Sequence, residues 1–255
     1  MKNLNQLLLA MLICSFSIIS CSSDDDSTQE IDCAMYDWEY VTPNSPDTWS
    51  DCFEDCGGTI QSPINITGAV ADAALVPLET DYMAVPINVM NNGKTVEFTY
   101  TAGSNLVING DSYELKQFHF HTGSEHQVDG DQFDMEIHLV HQNAGGFYAV
   151  VSLLVQEGAE NAFLKNFSDD YPSTEGGQFT AAGPVNVEDL LPTNPDYYTY
   201  GGSLTTPPCS ETVTWYVMKT PITASSQQIS DMADILNDNF RPLQPLDGRV
   251  ILESI

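Results

Sequence analysis

Alternation of apolar and polar residues dominates the chain from about Cys33 onward. Val96, Phe98 and Tyr100 share one face of an extended run, Leu106 and Ile108 share a face of another, and Phe118/Phe120 stand opposite His119/His121. Asn92-Gly93 and Asn109-Gly110 fall between such runs and predict hairpin-type turns, since Asn and Gly tolerate the positive φ that tight connections require. Residues 147–155 (FYAVVSLLV) and 213–218 (VTWYVM) are nearly continuous apolar runs, as expected of central strands covered on both faces. Helical spacing is rare. Residues 226–236 place Ile229, Met232, Ile235 and Leu236 on one side behind a serine cap, and 158–167 is predicted to hold a second short helix. No repeat, linker or low-complexity block interrupts residues 33–255. The pattern predicts a single, mainly β domain with short peripheral helices.

Residues 1–20 read differently. Lys2 precedes an apolar run over 7–20 (LLLAMLICSFSIIS), shorter than the ~20 residues that span a bilayer and matching a signal peptide. The run ends in Ile18-Ile19-Ser20-Cys21, which resembles a bacterial lipoprotein box whose cysteine becomes the lipidated first residue of the mature chain. Ordinary secretory cleavage near Ser20 is the alternative. Residues 21–32 begin with the polar, acidic stretch Ser22-Ser23-Asp24-Asp25-Asp26-Ser27 and read as a tether, resembling acidic export tags on surface lipoproteins of some Gram-negative bacteria. The expectation is an exported protein, lipid-anchored through Cys21 to the bacterial outer membrane or cell surface, and otherwise periplasmic or secreted. The membrane is a partner only through that anchor.

Charge narrows the partners. Seven Lys+Arg against 36 Asp+Glu give a net charge of −29, which repels phosphate backbones and anionic headgroups and excludes nucleic acid as a partner. A salty extracellular medium would screen this self-repulsion. At 255 residues with 42% hydrophobic content, the chain has ample material for one core. Of six cysteines, Cys14 leaves with the signal and Cys21 carries lipid, leaving Cys33, Cys52, Cys56 and Cys209. In an oxidising compartment these predict two disulfides among three possible connectivities. Cys52-x3-Cys56 as half of a zinc knuckle lacks a second Cys/His pair at such spacing.

All five histidines, His119, His121, His126, His138 and His141, fall within 23 residues. On strands with a side-chain period of two, His119 and His121 share one face, and so do Glu136 and His138. If these strands pair antiparallel, three imidazoles converge, and three neutral nitrogens with one open position make a catalytic zinc site rather than a closed structural one. Gln117 and Glu136 are spaced to accept the ligands' remaining N–H groups. For any one histidine alone, a hydrogen-bonded core position would be the better reading.

Five motifs in order, Gln61-Ser62-Pro63-Ile64-Asn65-Ile66, Gln117-Phe118-His119-Phe120-His121, Gly123-Ser124-Glu125-His126, Glu136-Ile137-His138-Leu139-Val140-His141 and Tyr200-Gly201-Gly202-Ser203-Leu204-Thr205-Thr206-Pro207-Pro208, together resemble the α-class carbonic anhydrases. The likeness runs from about Trp38 to Arg249. It implies a central twisted, mostly antiparallel sheet of about ten strands and reversible hydration of carbon dioxide to bicarbonate. It further implies one Zn2+ per chain on His119, His121 and His138, with Gln117, Glu136, His126, His141 and Asn239 as supporting residues behind the ligands, His126 and His141 among them as buried, hydrogen-bonded side chains.

By the same resemblance, Thr205 accepts the hydrogen bond of a zinc-bound hydroxide and donates its own hydrogen bond to Glu125, and carbon dioxide waits against a wall of Val140, Val150, Leu204, Thr206, Val213 and Trp215. Extracellular members pair a cysteine before Gln-Ser-Pro with one after Thr-Thr-Pro-Pro, which implies Cys56–Cys209 and leaves Cys33 with Cys52. Two departures stand out: Phe240 where the family often has Trp, and Lys94 where its fastest members place a proton-shuttling histidine. Lys94, with an ordinary pKa of ~10.4, is a poor proton acceptor at neutral pH, so a shuttle-limited enzyme is expected. A zinc esterase and a non-catalytic binding module of the same fold are the rival readings. Oligomeric state is not legible.

Overall fold

The computed structural model describes residues 31–255, so the signal segment, Cys21 and nearly all of the tether lie outside it. Thirteen strands form the main sheet, and ten of them make one continuous path. In chain order these are β1 (Val70–Ala71), β2 (Asn88–Asn91), β3 (Val96–Thr99), β4 (Asp111–Thr122), β5 (Met135–Gln142), β6 (Tyr148–Glu157), β7 (Gln178–Thr180), β8 (Tyr197–Gly202), β9 (Val213–Met218) and β10 (Leu252–Glu253). Their spatial order is β7-β2-β3-β4-β5-β6-β9-β8-β10-β1. Most neighbours are antiparallel, while β6/β9 and β10/β1 run parallel. The fold is mainly β, as the alternation predicts, and its large sheet is mostly antiparallel, as the resemblance implies, with parallel pairs that make it mixed.

Both faces of the central strands are covered, which is why β6 and β9 read as continuous apolar runs. On one face Phe118, Phe120, Ile137, Leu139, Val151 and Leu153 join Phe98, Phe163 and Phe167 in the larger core. On the other, Val140, Val150, Trp215 and Val217 pack against Ile64, Ile66 and Ile251. Phe147 does not continue β6 inward. It sits 57% exposed after the tight turn at 143–146, where Asn143 Oδ1 accepts from Phe147 N at 3.0 Å.

The helix α1 (Ser226–Leu236) starts at a capping box in which Ser225 Oγ accepts from Gln228 N and the Gln228 side chain accepts from Ser225 N. Met232 is buried against the large core with Ile229, Ile235 and Leu236 beside it. The expected helix over 158–167 shrinks to a single 3-10 turn at Leu164–Asn166. Gly158 N still bonds Ala224 O as an extension of β6, and Asn161 Oδ1 caps Phe163 N and Leu164 N, so too few residues remain for a longer helix.

The segment ahead of the sheet is fastened by two disulfides, Cys33–Cys52 and Cys56–Cys209, with S–S distances of 2.07 and 2.04 Å. Trp49 and Cys56 form a small core with Cys209, under Trp38 and Tyr40. Arg241 is buried beside it. Its guanidinium donates to Gln61 Oε1, Ser62 O and Cys56 O at 2.8–2.9 Å and lies 5.7 Å over the Trp49 ring. Gly202 permits a close approach here: a β-carbon would collide with Ser62 Oγ and come within 2.9 Å of the Trp215 ring. No helix among the described residues is long and apolar enough to cross a membrane.

Candidate active site

Strand register builds the site. In the β4/β5 pair His138 is the partner of His119, and Glu136 of His121. One ligand nitrogen from each of His119, His121 and His138 lies within 4.8 Å of the others. The opposite nitrogens are engaged. His119 Nδ1 donates to Gln117 Oε1 at 2.8 Å, His121 Nδ1 to the Asn239 carbonyl at 2.6 Å, and His138 Nε2 to Glu136 Oε1 at 2.8 Å. His119 Nε2, His121 Nε2 and His138 Nδ1 are thereby left as lone-pair donors facing one point.

Burial holds His119 well below the ordinary imidazole range, with His121 and His138 adding to the effect, and lowers His121 to about 4 and His138 in the same direction. Neutral imidazoles are what a metal requires. His121 Nε2 is buried without a hydrogen-bond partner, an arrangement that would be costly unless a ligand completes it. The donor set fits a borderline-soft divalent ion with an open fourth position.

Behind the triad, Glu136 accepts from His138, His126 Nδ1 (2.7 Å), His126 N (2.7 Å) and Ser152 Oγ (2.5 Å). Burial alone would raise its carboxyl pKa, but His126 and His138 outweigh this and hold it well below the usual range. His126 Nε2 meets the Tyr200 hydroxyl at 2.6 Å, which links on to Ser62 Oγ at 3.0 Å. In front, Glu125 Oε1 accepts from Arg241 N at 2.8 Å, while Oε2 lies 3.5 Å from His121 Nε2 and 3.9 Å from His138 Nδ1. Burial pushes the Glu125 carboxyl up to about 7, with Glu136 acting in the same sense. His138, the nearby Thr205 hydroxyl and Arg241 N pull the other way.

A cavity of about 210 Å³ opens onto His119 and His138 and is walled by Val140, Val150, Leu204 and Trp215, with Gln117, Thr205 and Thr206 as polar neighbours. Two expected residues are placed elsewhere. Val213 is packed behind this wall with Val140, Val150 and Trp215 rather than lining the cavity. His141 belongs to the opposite side of the sheet. It stacks on Tyr82 and bonds the Tyr82 hydroxyl (2.8 Å) and Ala149 O (3.1 Å), so it is a buried core histidine and not a support for the triad. The cause is the period of two, which turns residue 141 away from 138 and 140; the register shift beside it leaves Lys116 of β4 as the extra residue and brings Leu115 to the face of His141.

Lys94 lines a neighbouring recess of about 130 Å³ with Trp38, His119, His121 and Thr206. Its ammonium is taken by Glu39 Oε1 (2.5 Å) and Asp37 Oδ1 (3.1 Å) and lies 5.2 Å from the Trp38 ring centroid. Burial alone would lower its pKa, but the two carboxylates outweigh that and raise it. Several lining residues escaped the sequence reading, among them Tyr40, Thr95, Glu97 and Tyr148. Glu97 was legible, because alternation with Val96 and Phe98 turns it to the face of His119. Tyr148 was hidden in an apolar run.

A histidine-triad cleft on a large mixed sheet is the architecture of a metal-site enzyme, and known proteins share it with this chain. A family model described as eukaryotic-type carbonic anhydrase matches residues 44–255. A carbonic anhydrase of Pectobacterium carotovorum is 39% identical over 220 residues, covering 84% of this chain and 90% of the relative, and one from a Nostoc strain is 37% identical over 97% of this chain and 96% of its own. The solved α-carbonic anhydrase of Photobacterium profundum superposes with a TM-score of 0.82 at 39% identity, over 85% of this chain and all of that one. The chain belongs to the α-class, eukaryotic-type carbonic anhydrase family and is an enzyme of that class.

Proposed function

We propose that the chain reversibly hydrates carbon dioxide to bicarbonate and a proton at one zinc ion held by His119 Nε2, His121 Nε2 and His138 Nδ1. The observation that carries this reading is the convergence of three neutral imidazole nitrogens whose opposite nitrogens are already hydrogen-bonded, with His121 Nε2 buried and unpartnered. When bound, zinc supplies Lewis acidity that brings a water's pKa to about 7, a magnitude established for this enzyme family.

The chain's own residues orient and exclude. Gln117, the Asn239 carbonyl and Glu136 fix each imidazole's tautomer and tilt. Ionised Glu125 is an acceptor only, so it draws the single hydroxyl proton of Thr205 and leaves the Thr205 lone pairs to accept from the attacking water. Thr205 therefore orients the nucleophile and is not a base. The wall of Val140, Val150, Leu204 and Trp215, edged by Thr206, offers an apolar waiting place to a small apolar substrate. Lys94, committed to Glu39 and Asp37, is no acceptor for the departing proton.

Two disulfides favour an oxidising compartment and hence export. The lipid anchor on Cys21 is part of the same proposal. If Cys21→Ser protein partitions with membranes as the wild type does, the anchor is refuted. The activity is tested by stopped-flow carbon dioxide hydration beside ester hydrolysis, with metal analysis of wild type and His119→Ala. Hydration that depends on stoichiometric zinc and is lost in the variant is expected. Ester hydrolysis alone, or full activity and zinc in the variant, would overturn the reading.

A further inference from the structure

The alternation that buries Val96 and Phe98 turns Glu97 to the opposite face of β3. Its register partner in β4 is His119, and residues directly opposite in an antiparallel pair share a face, with Cβ atoms about 4.5–5.5 Å apart. Half-buried, Glu97 lines the recess that holds Lys94, Gln117, His121 and Thr206. No cation balances it. Lys94 is engaged by Glu39 and Asp37, Arg241 is spent on the carbonyls of Ser62 and Cys56 and on Gln61, and among the described residues Glu97 makes no ion pair. When ionised, Glu97 therefore places an unpaired negative charge on the half-exposed wall beside the triad, within reach of dissolved salt.

Carbon dioxide is neutral, whereas bicarbonate and the small anions that seek a divalent metal are not. We propose that Glu97 is a specificity-determining residue that weakens the hold of the triad site on anions, bicarbonate included, relative to the neutral substrate. This rests on the zinc reading above. Two unit charges about 8 Å apart, between bulk-water and near-surface screening, correspond to about three- to tenfold in anion affinity.

The test is calorimetric titration of sodium thiocyanate into zinc-loaded wild type, Glu97→Gln and Glu97→Lys at mildly alkaline pH, in dilute buffer and in sodium sulfate at about 0.5 M ionic strength, where the Debye length is only a few ångströms. The expected result is about three- to tenfold tighter binding to Glu97→Gln, tighter still to Glu97→Lys, with the gaps closing to under about twofold in high salt. Equal affinities in dilute buffer, or a gap undiminished by salt as a packing change would give, overturns the inference alone. Failure of the wild type to take up stoichiometric zinc overturns the zinc reading and the inference with it.

Discussion

Phe118 and Phe120 on β4 pack with Phe98, Phe163 and Phe167 at ring separations of 4.5–6.4 Å, while His119 and His121, one residue along, face His138 across a polar cleft. The backbone is the same, and only the side of the pleat differs. The aromatic face removes apolar area from water and so contributes to the stability of the whole domain. The histidine face contributes little of that kind, since every buried polar atom there must find a partner to avoid a desolvation cost. Most do, through Gln117, Asn239 and Glu136. Of the four buried side-chain atoms without a partner among the described residues, two, His121 Nε2 and Glu125 Oε2, lie at the triad, where the chemistry would occur. Stability and activity should therefore separate along a single strand, by the parity of the residue number.

The sharpest break is His119→Ala. It is expected to abolish stoichiometric zinc and lower kcat/KM by at least ~10^3-fold, while the metal-free variant melts close to the metal-free wild type. A parallel loss of fold would merge the two faces and defeat the comparison. Phe118→Ala should do the converse, costing about 3–5 kcal/mol in denaturant unfolding while its folded fraction still takes up one zinc per chain. A variant that lost metal as completely as His119→Ala would show the faces to be coupled.

Glu136→Gln sits between these cases, because its carboxylate gathers four donors behind the triad. It should weaken zinc affinity by about 10–100-fold, measured by competition with a chromophoric chelator. An unchanged affinity would remove Glu136 from the ligand support. Smaller again is the effect at the cleft mouth. Lys94→His is expected to raise kcat severalfold at low buffer concentration and leave kcat/KM nearly unchanged, because an imidazole with a pKa near ~6.5 accepts a proton where the paired ammonium does not. A wild-type rate that ignores imidazole-type buffer would refute the shuttle limit. Smallest is the surface: moderate salt should raise Tm by a few degrees through screening of the −29 charge, and a flat response between dilute and marine ionic strength would count against it.

Much of this architecture was legible locally. Period-two alternation is a property of the extended backbone itself, so Val96/Phe98, Phe118/Phe120 and the His-x-His and Glu-x-His pairs declared their faces without any knowledge of their neighbours. The serine-capped helix at Ser226–Leu236 was equally local, since both halves of its capping box lie within four residues. The second helix was misjudged because an apolar run says nothing of Gly158 pairing with Ala224 or of Asn161 capping the next turn. His141 carried the same chemical signal as its neighbours, but its odd spacing from His138, itself legible in the sequence, put it on the other face, and only the structure supplied Tyr82 as its partner.

What the sequence by itself determined was which residues share a face, how the charge is balanced, and which side chains are able to bind a metal. All three follow from covalent spacing and side-chain type. Only the tertiary structure decided Arg241 N for Glu125 across 116 residues and Glu39 and Asp37 for Lys94, while Asn239 O for His121 across 118 and the joining of Cys56 to Cys209 across 153 were implied by the family resemblance and by no local pattern. Strand periodicity fixes direction within a few residues of the chain. Contacts between distant segments depend instead on how whole sheets and loops pack, and no local repeat encodes them.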